Sequence, residues 1–125
     1  MGQDNLTGQV HNAMYQQIKK RGYAAPVDVL MDIGVLSKTD YENWRRGRVD
    51  YLERVCKMNL HKLSEIMRLM RGYAAKTGLK PSWTFYRQWE CKESRKLRFS
   101  KSGKAEIEKA YATHFVSQNI KDKPS

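Results

Sequence analysis

Apolar residues recur at helical spacing along most of the chain, and glycines separate the periodic segments. The first segment predicts a helix over residues 7–21, which closes with three cations before Gly22. A longer helix is predicted over residues 59–76, with Asn59 as its N-cap, and it stops at Gly78. A last helix is predicted over residues 104–116. The pattern is therefore that of a mainly helical protein.

The stretch over residues 27–55 predicts two short helices joined by a glycine turn. Pro26 suits the first turn of a helix, where its missing N–H is not needed, and Gly34 suits the left-handed conformation that ends one. Ser37 is a good N-cap for the second helix, and Asp40 places acidic charge near its N-terminus. A short helix, a glycine turn and a second helix form the outline of a helix-turn-helix.

A more specific likeness is carried by Gly34-Val35, Ser37, Thr39 and, at positions 44–48, Trp-Arg-Arg-Gly-Arg. This pattern resembles the repressor-type (Xre/Cro-like) helix-turn-helix of phage and bacterial regulators, over about residues 27–55. In that family a Gly-Val-Ser turn leads to a recognition helix that ends in Trp-Glu-Arg-Gly-Lys. Two positions depart from it. Leu36 makes the turn one residue longer, and Met31 stands where the family usually has a small residue.

The resemblance implies a DNA-binding regulator whose second helix, from Ser37 to Arg46, approaches the major groove. Side chains that would lie near base edges are Lys38, Thr39, Glu42 and Asn43. Cations that would bind phosphates are Arg45, Arg46 and Arg48. Trp44, on the same helix, is expected to be buried in the core.

Residues 83–99 are rich in aromatic and strand-forming residues and predict a β-hairpin, with strands near 83–89 and 96–99. The cations interleaved with the aromatic residues are Arg87, Arg95, Lys96 and Arg98. Such interleaving suits base stacking beside phosphate contacts, and it equally suits a hairpin that buries its rings and points its cations to water. The two interpretations are compatible, because a hairpin beside a helix-turn-helix can act as a basic wing. An RNA-binding variant places the stacking on Tyr86 or Trp89.

The charge balance indicates the kind of partner. The 125 residues carry a formal net charge of +11, which favours an anionic partner such as nucleic acid. The resemblance makes DNA the preferred form over RNA. The alternative is a protein–protein interaction module that binds an acidic partner protein, with Trp44 and the hairpin aromatics as anchors. The oligomeric state stays open.

Catalytic and metal-binding patterns are missing from the sequence. The three histidines have no metal-ligand spacing, and neither a GxSxG elbow nor a glycine-rich phosphate loop occurs. We therefore expect no enzyme activity and no cofactor or metal. Without a secretory signal or an apolar run of ~20 residues, we expect a cytoplasmic protein that does not enter a membrane.

The expected architecture is a mainly α, compact single domain over residues 1–125. It would have about five helices, a helix-turn-helix-like core and one β-hairpin near residues 83–99. Residues 1–6 and 117–125 are expected to form flexible ends.

Overall fold

The computed structural model describes residues 2–118, with side chains from Asn5 onward. The protein is mainly helical and carries one small three-stranded sheet. The helices are α1 (Gly2–Arg21), α2 (Pro26–Asp32), α3 (Lys38–Arg45), a 3₁₀ helix (Leu52–Val55), α4 (Leu60–Thr77) and α5 (Ala105–Ala112). The strands are β1 (Tyr23–Ala24), β2 (Lys80–Trp83) and β3 (Thr113–Val116). None of the helices described is both long and apolar enough to cross a membrane.

The first helix is longer than the sequence predicted. It begins at Gly2 rather than near Thr7, and Leu6 is buried together with Val10 and Met14 on the side that packs on α4. Residues 2–6 are therefore helical, and the flexibility that we expected at this end stays a prediction. At the other end, the backbone N–H of Ser117 donates to the carbonyl of Gly22 at 2.8 Å. The rest of the expected C-terminal flexible end, residues 119–125, lies outside the described part of the chain.

The sheet joins distant parts of the sequence. Its order is β1-β3-β2 with antiparallel pairing, so that β3 is the central strand. The prediction of one helix over residues 104–116 was wrong, because the helix ends at Ala112 and β3 follows at once. The sequence allows both, since the buried residues Tyr111 and Phe115 are four apart and share a face in a helix or in a strand. Pairing with β1 and β2 stabilises the strand over a continued helix.

The prediction that residues 83–99 form a β-hairpin of two paired strands was also wrong. Only one isolated antiparallel bridge, between Arg87 and Lys96, joins its two halves in the described chain. Residues 84–100, called the 84–100 loop below, are otherwise irregular, and Glu90 and Ser94 take left-handed backbone conformations at the turn. Trp83 at its start belongs to β2, whose partner is β3.

The glycine turn and the capped second helix of the central stretch are present. The amide of Gly34 donates to the Met31 carbonyl at 3.1 Å, and that of Val35 donates to the Leu30 carbonyl at 2.9 Å, a Schellman motif that ends α2. The Ser37 side chain then caps α3 by accepting from the Asp40 amide at 3.1 Å. These local predictions were right. Helix α3 packs on the 3₁₀ helix, and a helix-turn-helix arrangement of α2 and α3 stays a prediction.

Two exposed glycines test how the backbone conformation sets stability. Gly34 has φ +82°, whereas Gly72 lies inside α4, and an added Cβ would meet nothing within 4 Å at either position. We expect Gly34→Ala to lower the free energy of unfolding by about 1 kcal/mol, because an L side chain is strained in the left-handed region. We expect Gly72→Ala to raise it by about 0.5–1 kcal/mol through its better helix propensity. Urea unfolding of both variants measures the difference, and equal effects would contradict the assigned turn.

Candidate nucleic-acid interface

Trp44 fixes the position of α3. Its ring is fully buried and lies 5.2 Å from the Phe99 ring and 5.6 Å from the Tyr86 ring, between centroids. Its Nε1–H donates to the backbone carbonyl of Arg98 at 2.8 Å. The expected burial of Trp44 is thus confirmed, and the contacts tie α3 to the 84–100 loop.

Arg45, which was expected to bind phosphate, is held by aromatic rings. Its guanidinium carbon lies 5.0 Å from the ring centroids of both Tyr86 and Trp89, and its Nη1 donates to the Tyr41 hydroxyl at 3.4 Å. Its Nε is buried and, within the described chain, has no hydrogen-bond partner. Burial raises the pKa of Tyr86, so this phenol stays neutral beside the cation. Cation–π contacts of this kind stabilise the fold.

Arg98 is engaged in a similar way by its own loop. Its Nε donates to the Ser100 carbonyl at 2.8 Å, and its Nη2 donates to the Lys101 carbonyl. The guanidinium carbon also lies 5.4 Å from the centroid of the Tyr51 ring. Arg45 and Arg98 are therefore both engaged by contacts within the protein, although Arg98 is also exposed, and sequence reasoning did not identify these contacts.

The other residues expected on α3 lie at the surface. Lys38 and Thr39 are exposed at its start, and the half-buried Asn43 accepts a 3.3 Å hydrogen bond from Arg48. Arg46 is the C-cap of α3, and its guanidinium carbon lies 5.6 Å from the Trp89 ring centroid. These side chains leave the solvent-facing side of α3 polar and cationic.

The end of α3 is shaped by Gly47. This residue has φ +78°, and its amide donates to the Trp44 carbonyl while the Arg48 amide donates to the Asn43 carbonyl, a second Schellman motif. A Cβ on Gly47 would lie 2.6 Å from the carboxamide carbon of Gln88. The glycine thus closes the helix and lets the 84–100 loop approach it.

The 84–100 loop brings a second cation-rich segment against the end of α3. The Trp89 amide donates to the Arg45 carbonyl at 2.6 Å, next to the contact between Gln88 and Gly47. Residues 83–104 contain seven Lys or Arg and two Glu, which leaves this segment strongly positive. We call five exposed or half-buried cations of the two adjoining segments the basic surface: Arg46, Arg48, Arg87, Arg95 and Lys96.

Two aromatic side chains beside this surface are exposed, and sequence reasoning counted them among the hairpin aromatics but placed the stacking on other rings. Trp83 is 53% exposed and Phe85 is 38% exposed, whereas Tyr86, one of the two residues expected to stack, is only 8% exposed. The signal was the alternation of an extended chain, which places residues 83, 85 and 87 on one side and Tyr86 on the other. We call Trp83, Phe85, Arg87 and Lys96 the aromatic–cation patch.

No protein-family model matches the chain, and no curated protein or solved structure matches it either. Within residues 2–118, no group of three His, Cys, Asp or Glu side chains could hold a metal ion. An interpretation of the basic surface therefore depends on the chemistry of its own side chains.

The two cysteines should differ in reactivity, so that Cys91 can serve as a probe of the turn in the 84–100 loop. Burial raises the pKa of the Cys56 thiol to about 12, whereas hydrogen bonds from the backbone of Arg95 and Glu93 lower the pKa of the Cys91 thiol. The thiolate is the reactive form. We expect Cys91 to react first with a disulfide reagent at neutral pH, in a fast phase that Cys91→Ser removes and Cys56→Ser preserves. A fast phase that depends on Cys56 would contradict this environment.

Proposed function

We propose that this protein binds nucleic acid through the basic surface, with duplex DNA as the preferred form. The observation that carries the proposal is that two cation-rich segments, distant in sequence, meet at the α3 C-terminus, where the 84–100 loop contacts Arg45 and Gly47. Clustered Lys and Arg side chains neutralise backbone phosphates and release condensed counterions. Phosphate contacts of this kind supply most non-specific affinity.

Two carboxylates at the end of the loop are used by the fold instead of by the cations of the basic surface. Glu108 accepts from the Ser100 amide at 2.7 Å, and Glu53 accepts from the Lys101 amide at 2.9 Å and from the Tyr111 hydroxyl at 2.6 Å. These two side chains hold the loop in place. They therefore do not neutralise the cations of the basic surface, whose positive charge stays available to an anionic partner, consistent with the +11 charge of the chain.

Two ion pairs do involve the basic surface, and both are long and open to water. Arg46 Nη1 lies 4.0 Å from Glu42 Oε1, and Arg95 Nη2 lies 3.7 Å from Glu93 Oε1. Solvent-exposed pairs at such distances contribute little free energy. A phosphate can consequently replace either carboxylate at small cost.

In the duplex form of the proposal, the exposed side of α3 faces the major groove. Lys38 and Thr39 near its start, with Asn43 one turn further on, would approach base edges. Asn43 could pair with adenine through its carboxamide once its hydrogen bond with Arg48 is exchanged. Arg46 and Arg48 would bind the phosphates that flank the groove.

The double variant Arg46→Ala/Arg48→Ala tests the basic surface. We expect it to weaken binding to a mixed-sequence DNA duplex and to reduce the slope of log K against log salt by about 0.9 for each phosphate that is no longer neutralised. Fluorescence anisotropy titrations over a range of salt concentrations measure both quantities. Urea unfolding shows that the variant is folded, and Arg48→Ala alone avoids the contact between Arg46 and Trp89.

Arg68→Ala is the matched control for the charge change. Arg68 is an exposed residue of α4, and its Nη2 lies 3.7 Å from Glu65 Oε2. We expect Arg68→Ala to weaken binding less, per charge removed, than the double variant does. If the double variant retains the wild-type affinity and slope, the basic surface is not where nucleic acid binds. Equal reductions per charge in both variants would also contradict a localised interface.

A further inference from the structure

We propose that the aromatic–cation patch is a stacking site for unpaired bases, so that the protein also binds single-stranded DNA or RNA. This inference rests on the proposed nucleic-acid binding and adds a substrate class to it. Its starting point is the exposure of two neighbouring rings in a protein that buries most of its large apolar side chains. Trp83 and Phe85 are two of only four large hydrophobic side chains that are exposed in the described chain.

The two rings form one surface. Their centroids lie 4.9 Å apart with an angle of 73° between the planes, an edge-to-face pair. The remaining exposed large side chains, Tyr15 and Leu60, lie on α1 and α4. A contiguous exposed apolar patch commonly marks a binding site, whereas isolated exposed residues need no explanation.

The backbone holds the rings in place before any partner binds. Trp83 pairs with Thr113 in the sheet, and the amide of Thr84 donates to the Ala112 carbonyl at 3.3 Å. The next inward residue, Tyr86, is buried, and its hydroxyl lies 3.2 Å from His114 Nε2. The outward positions 83 and 85 are consequently carried on a fixed segment, which reduces the entropy cost when a ligand orders them.

Cations lie over the rings, from where they could turn to the phosphates of a stacked nucleotide. The Lys96 amino group is 4.8 Å from the Phe85 ring centroid and 5.9 Å from the Trp83 centroid. The Arg87 guanidinium carbon is 5.1 Å from the Phe85 centroid, and its Nη1 is fixed by the Ser94 carbonyl at 3.1 Å. Aromatic faces combined with a positive backbone track are the usual means of binding single strands without sequence preference.

This chemistry favours unpaired bases over a duplex. In a duplex the base faces are stacked on one another, and a protein reaches only base edges and the backbone. The exposed indole of Trp83 offers a ring on which only an unstacked base can stack, once the Lys96 amino group over it moves to the phosphate. The patch adjoins the basic surface through Arg87 and Lys96, which belong to both. A single strand on the patch can therefore continue along the same cations that the proposed duplex contacts use.

The test titrates the wild-type chain and its variants with oligothymidine and oligouridine of about 12 nucleotides, in the range of a single-strand site. Trp83→Ala and Phe85→Ala should each weaken single-strand binding by about tenfold, with little change in duplex affinity. Trp83→Leu keeps apolar bulk without a ring face and should weaken binding as well. Tyr15→Ala is the matched control, because Tyr15 is 51% exposed and has the Lys19 amino group 6.0 Å from its ring.

Other results would overturn the inference in identifiable ways. If the Trp83 and Phe85 variants bind single strands like the wild type while Arg46→Ala/Arg48→Ala still weakens duplex binding, the patch is not a stacking site and the proposed function stands. Trp83-dependent binding to anionic phosphatidylserine vesicles without any binding to oligonucleotides would reject both proposals. Equal affinity for thymidine and uridine oligomers supports stacking on either nucleic acid, and a difference between them identifies the preferred one.

Discussion

The buried Trp44 ring and its hydrogen bond to the Arg98 carbonyl organise the rest of the structure. Through this 2.8 Å bond and the ring contacts, α3 is joined to a loop that is distant in sequence. These contacts extend to other elements. The Phe99 ring stacks on the Tyr111 ring of α5, with centroids 5.5 Å apart, and the Tyr86 ring contacts His114 of β3. Removal of a large buried aromatic ring typically costs about 3–5 kcal/mol. Removal of this one would also loosen the attachment of α3 to the 84–100 loop.

The cations of this chain fall into two groups that its sequence does not distinguish. Arg45 and Arg98 are held by rings and by backbone carbonyls, and Arg21 is paired with Asp28 at 2.6 Å. A second group, including Arg48 and Lys96, faces solvent. Arg45, which is half-buried among rings, would have to leave them to meet an anionic partner, whereas the second group already faces solvent. The net charge of +11 therefore does not say which cations could bind a partner, and in the interface that we propose these are the ones near the end of α3.

Features that depend on local sequence signals were predicted well, whereas pairing between distant segments was not. The caps at Ser37 and Asn59 and the stops at Gly34 and Gly78 were right, since each is decided by bonds within a few residues. The strand at residues 113–116 was missed because its partners lie far away in the sequence. The site was predicted in the same uneven way. The sequence identified its cations, but which side chains face the core and which face solvent depends on the tertiary packing around Trp44.

The most direct measurement of the central claim is a titration of the wild-type protein with a mixed-sequence duplex and with a single strand, at about 50 and about 200 mM salt. Binding of both that weakens steeply at the higher salt is the result we expect, since released counterions would supply much of the affinity. A chain with this charge should show at least non-specific association at the lower salt. No binding to either nucleic acid there would contradict the account and point to an acidic protein partner.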